Sequence, residues 1–180
     1  MTYLDVFDQL GLDTFSLVGH SLGGWMAATF ATQHARRLRK LVLVSPTGLR
    51  VPEAPTADLF RILPADLLPM LVADMRFFAG KLPEQPTIDM IVNQFREMTS
   101  TARVAWERNY DPKLPRYLHR VTVPTLLLWG EQDRLVPVQQ AAVWAKALPN
   151  AEIRTVPDVG HLVLEENPEG MRIVKEFLAH

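Results

Sequence analysis

Cysteine is absent from the 180 residues, which excludes disulfides, thiol nucleophiles and thiolate metal ligands together. Five histidines occur without a His-Glu-x-x-His spacing, so no metal site and no cofactor are expected. Neither sign of charge dominates. With 19 basic against 20 acidic residues and a net charge of −1, nothing electrostatic points to nucleic acid or to an anionic membrane as a partner. Long apolar runs are missing too, none nearing the ~20 residues that cross a bilayer. The opening MTYLDVFDQLGLD has neither the basic nor the apolar region of a secretory leader, so the expected location is the cytoplasm. Internal repeats and low-complexity tracts are likewise absent.

What is present is ordinary globular material, 48% hydrophobic and 22% charged, in a chain long enough to bury a core without staples. Leu4, Phe7 and Leu10 recur at helical spacing before Gly11. A short strand over 15–18 then runs into Gly19-His20-Ser21-Leu22-Gly23-Gly24, and a small-residue helix over 22–36 follows. Residues 40–44, Lys40 followed by four unbroken apolar residues, carry the mark of a strand covered on both faces. From about residue 51 to 119, prolines and methionines concentrate and strand patterns stop. Helical patterns at 56–63, 65–78, 87–98 and 100–108 fit there, punctuated by prolines. Strand patterns resume at 125–129, followed by a helix over 139–148, a more polar edge strand over 152–156 and a final amphipathic helix over 167–179. This alternation predicts an α/β fold of about four parallel strands, with residues 1–50 and 120–180 as the core and 51–119 as a helical cap.

Gly19-x-Ser21-x-Gly23 has a mechanical logic. A serine on a tight strand-to-helix turn takes a strained backbone and needs small flanking residues, and the turn exposes its hydroxyl at the sheet's end. The Leu22 backbone N–H, at the start of the next helix, is then placed to meet a developing oxyanion. A serine hydroxyl needs a base, and the base needs an orienting acid. Asp133 lies just past a strand's carboxyl end, with Glu131 and Asp158 as rivals, and His161 lies in the loop after the next strand. His20, His34, His119 and His180 fit the base role less well. His20, Phe77 and Trp106 are candidate substrate contacts, with Phe60, Met75 and Phe78 as further candidate pocket walls or as the cap's own core.

The segments VGHSLGG, WGEQDRLVP and VPDVGHLVLEENPE, in this order, resemble the nucleophile, acid and histidine segments of cap-bearing α/β-hydrolases. The resemblance implies Ser21 as nucleophile, Asp133 as acid and His161 as base. It implies a serine hydrolase of carboxylic esters or related small acyl compounds, with carbon–carbon bond hydrolysis and cofactor-free perhydrolysis as alternative chemistries and a catalytically silent fragment or partner-binding module as the other class. Serine at position 21 departs from the aspartate of haloalkane dehalogenases and epoxide hydrolases. In the family the nucleophile follows the fifth of eight strands, whereas here it follows the first. The N-terminal strands, on the order of 80–100 residues at βαβ lengths, are expected to be missing, along with the His-Gly loop that brings the second oxyanion donor. The first strand then becomes an open sheet edge, where a second copy or the missing half would pair.

Overall fold

In the computed structural model, residues 3–83 and 85–180 are described. Four parallel strands form one sheet in the order β1-β2-β3-β4: β1 Phe15–His20, β2 Leu38–Val44, β3 Thr125–Gly130 and β4 Ala151–Val156. The helices are α1 Tyr3–Gln9, α2 Leu22–His34, α3 Pro64–Leu71, α4 Ile88–Ala105, α5 Gln140–Ala147, α6 Val163–Glu166 and α7 Pro168–Ala179.

The two central strands explain the architecture. Every residue of β3 and the last four of β2 are buried, because both faces are covered and alternate side chains enter different cores. Leu41, Leu43, Leu127 and Trp129 point into a core shared with α2 and α5. Val42, Val44, Leu126 and Leu128 point into a smaller one shared with α6 and α7. Each fully buried Leu or Val contributes about 1.5–3 kcal/mol of burial free energy. The outer strands read differently. β4 is exposed over its middle, as its polar sequence requires of an edge. β1 pairs with β2 alone among the described residues, and Val18 on it is 40% exposed. Phe7, Leu17, Val18, Met26 and Phe30 wall a shallow apolar hollow along this open edge.

α2 approaches the sheet closely because Gly24, Ala27, Ala28 and Ala31 form its buried face. The chain between β2 and β3, called the insertion below, holds no named strand among the described residues, and its helices differ from the sequence pattern. The expected helices at 87–98 and 100–108 are the single helix α4. Thr99 and Ser100 do not break it, since their hydroxyls donate to the Phe95 and Arg96 carbonyls at 2.8 and 2.8 Å. The expected 65–78 helix stops at Leu71, and a short 3-10 turn, Met75–Phe78, follows an extended Val72. The 56–63 pattern yields only a 3-10 turn at Leu59–Arg61. Val51, Ala54, Leu114 and Leu118 belong to the larger core, so both ends of the 51–119 stretch pack with the sheet layer.

Backbone approach at the strand ends is tight. A Cβ on Gly130 would lie 2.1 Å from the Gly160 carbonyl oxygen and 2.4 Å from that of Val159. Gly130→Ala is therefore expected to push the 159–161 loop off β3 and lower Tm by about 3–10 °C, the range for overpacking by one methyl. Differential scanning calorimetry checks this, and an unchanged Tm would mean that the loop has slack.

Candidate active site

The carboxyl ends of the parallel strands collect the three residues singled out from the sequence. Ser21 sits between β1 and α2 with φ 54° and ψ −120°, a conformation that costs a non-glycine residue of order 1–3 kcal/mol. It is held there from both sides. The Ser21 N–H donates to the Val44 carbonyl at 2.9 Å, and its own carbonyl accepts from Gly24 and Thr47 N–H at 2.9 and 3.2 Å. Small flanks are required at Gly19, where a Cβ would lie 2.4 Å from the Gly23 carbonyl oxygen, and at Gly24, where it would lie 2.7 Å from Pro46 Cβ. At Gly23 a Cβ would meet nothing within 4 Å among the described residues, so the second glycine of the motif has no steric cause there. Leu22 opens α2, and the first N–H groups of a helix have no carbonyl partner within it.

Asp133 lies in the bend after β3, where its carboxylate serves two ends. Oδ1 accepts the Leu135 and Val136 N–H groups at 2.9 and 2.8 Å, and Oδ2 lies 2.8 Å from His161 Nδ1. Both side chains are buried. Because a carboxylate only accepts, Nδ1 donates, and in the neutral imidazole the basic lone pair is then that of Nε2. The rival acids are engaged elsewhere on the surface: Glu131 accepts from Thr155 Oγ1 at 2.8 Å, and Asp158 from Gln132 Nε2 at 2.9 Å.

His20 turns toward the same loop. Its Nε2 donates to the His161 carbonyl at 2.8 Å, and the two rings lie 4.8 Å apart. Burial, reinforced by the neighbouring His161, holds the His20 imidazole below its usual pKa, so it stays neutral at pH 7. A recess of about 40 Å³ beside Ser21 is walled by Leu22, Trp25, Thr47, Leu59, Ala105 and Leu135, among others. Neither Phe77 nor Trp106 lines it. Phe77 packs on Phe78 at 5.1 Å with Lys81 Nζ 3.4 Å over its ring, and Trp106 is 69% exposed beside Phe60. Glu166 is not among the residues that the sequence singles out, yet its carboxylate accepts N–H groups from two segments near the site. Its only signal is a glutamate five residues beyond the loop histidine. Among the described residues no group of His, Asp and Glu could hold a metal ion.

A parallel sheet with a strained serine on its strand-to-helix turn and a buried Asp–His pair at neighbouring strand ends has the layout of an α/β-hydrolase. The chain belongs to the alpha/beta hydrolase family, whose family model matches residues 2–172. It is 27% identical to monoacylglycerol lipase abhd6-A of Xenopus laevis over 96% of this chain and 57% of that protein. It is 28% identical to 2-hydroxy-6-oxononadienedioate/2-hydroxy-6-oxononatrienedioate hydrolase 2 of Pseudomonas putida over 97% of this chain and 66% of that one. The chain thus spans somewhat more than half the length of these curated relatives. Among solved structures, 2-hydroxy-6-oxo-6-phenylhexa-2,4-dienoate hydrolase from Rhodococcus sp. strain RHA1 superposes with a TM-score of 0.72 at 23% identity, covering 99% of this chain and 68% of that one. This last likeness concerns the fold. No helix among the described residues is long and apolar enough to cross a membrane.

The Asp133–His161 bond sets the histidine tautomer. In Asp133→Asn the amide keeps one acceptor for Leu135 and Val136 and turns its NH₂ toward Nδ1, so the imidazole proton should move to Nε2. Nitrogen-15 NMR of the His161 side chain distinguishes the two forms, and an Nδ1–H signal in both proteins would contradict the assignment.

Proposed function

We propose that this chain is a serine hydrolase that cleaves carboxylic esters through an acyl-enzyme on Ser21. The carrying observation is the buried 2.8 Å bond between His161 Nδ1 and Asp133, which commits the imidazole to one tautomer beside the strained serine turn. In this reading His161 Nε2 takes the Ser21 Oγ proton as Oγ attacks the acyl carbonyl. The carbonyl oxygen becomes an oxyanion, which the Leu22 N–H meets. His161 then passes the proton to the leaving alcohol as its bond to the acyl carbon breaks. Water repeats the sequence: His161 removes its proton, the hydroxide oxygen bonds the acyl carbon, and Ser21 leaves reprotonated as the acid departs. Asp133 keeps its bond to Nδ1 throughout and stabilises the imidazolium that forms.

The substrate is read as a small acyl compound received under the helical insertion, which acts as the cap. The monoacylglycerol lipase relative makes an acylglycerol the first ester to test. The Pseudomonas putida relative, at 28% identity, favours a second reading in which the same serine machinery cleaves a carbon–carbon bond next to a ketone. The open edge of β1 is read as a pairing surface for a second copy or for further strands.

Purified chain assayed against p-nitrophenyl acyl esters, a monoacylglycerol and a 2-hydroxy-6-oxodienoate tests both chemistries at once. The account expects ester turnover that falls by at least about 10³-fold in Ser21→Ala and in His161→Ala. Turnover of the dienoate alone would transfer the proposal to the second reading, and turnover unaffected by both substitutions would refute it.

A further inference from the structure

One carboxylate near the site does no chemistry in the proposed reaction, yet it holds three backbone groups from two separate segments. Glu166 closes α6, and its Oε1 accepts the Ala73 and Asp74 N–H groups at 2.8 and 3.1 Å. Its Oε2 accepts the Gly160 N–H at 2.8 Å. Gly160 is the residue before His161, whereas Ala73 and Asp74 belong to the insertion, where the chain leaves α3. None of the three donors lies in a helix or strand, so secondary structure offers their N–H groups no alternative partner.

The two segments also meet directly. The Leu162 N–H donates to the Leu71 carbonyl at 3.0 Å, and a Cβ on Gly160 would lie 2.7 Å from Ala73 N and from Val72 Cα. Val72 between them is buried. The histidine loop is thus clasped on both sides of His161: Glu166 and the insertion hold residues 160 and 162, and His20 holds the His161 carbonyl.

We infer that Glu166 is a positioning residue that fastens the histidine loop to the insertion, so that the placement of the His161 ring depends on where the Val72–Asp74 segment sits. A charged acceptor for three N–H donors is about twice as strong per bond as a neutral one. Gln cannot replace it, because its NH₂ must face either the Gly160 donor or the Ala73 and Asp74 donors. The catalytic arm of this inference rests on the serine-hydrolase reading, whereas its structural arm does not.

Amide hydrogen exchange by NMR on the whole chain tests the structural arm, with Glu166→Gln compared with Leu148→Ala, a truncation in the larger core, which Glu166 and its three donors do not join. In the unaltered protein the Gly160, Ala73 and Asp74 amides should be protected despite lying outside regular structure. In Glu166→Gln they should exchange at least about tenfold faster, while β2 and β3 amides do not change. Should ester turnover be present, kcat in Glu166→Gln should fall by about tenfold to a hundredfold with KM within about twofold, and Leu148→Ala should lower Tm without that split. Absence of protection in the unaltered protein, or equal acceleration of the three amides in both variants, would overturn the inference. Lack of turnover in the unaltered chain would refute the functional reading and leave the exchange result to decide the clasp.

Discussion

The Asp133 carboxylate is the constraint on which the site depends. One oxygen closes the bend after β3 by accepting two backbone N–H groups, and the other holds His161 across the gap to the loop after β4. A buried carboxylate is costly to desolvate, and such a group persists where every oxygen has donors. Asp133 meets that condition with three. The same bonds fix the shape of the bend, the orientation of the imidazole and its tautomer.

Around that group the strand ends are held at backbone contact distance. Gly130 lets the 159–161 loop rest on β3, Gly19 lets α2 rest on β1, and Gly160 lets the same loop rest against Val72. Close packing of this kind leaves little room to drift, and a reacting constellation needs its geometry held within fractions of an ångström. It also explains how Ser21 can keep an unfavourable backbone conformation: its neighbours in β2 and α2 saturate the peptide groups on both sides of it.

The sheet was legible in the sequence because β2 and β3 are buried on both faces, and burial of that kind leaves an unbroken apolar run. The positions of Ser21, Asp133 and His161 beyond strand ends were legible because each follows a strand pattern in the sequence, and it is there that parallel sheets carry functional groups. The insertion was less readable for identifiable reasons. α4 has no buried residue, so no core imposes a pattern on it, and the Thr99–Ser100 pair looks like a break although both hydroxyls bond back into the helix. At the stop after Leu71, the Leu71 carbonyl accepts the Leu162 N–H of the histidine loop, a long-range contact that no local pattern records. Glu166, next to Glu165, reads as solvated surface until its three donors are seen. Phe77 and Trp106 stand out in the sequence for size and apolarity, properties that do not distinguish a pocket wall from a side chain packed on its neighbour.

The most direct test of the central claim, that His161 and Asp133 activate Ser21, is intact-mass analysis after incubation with a fluorophosphonate. The account predicts a single adduct on the chain and none on Ser21→Ala, with labelling slowed in His161→Ala. A folded chain that takes no adduct, or an adduct that persists in Ser21→Ala, would contradict it.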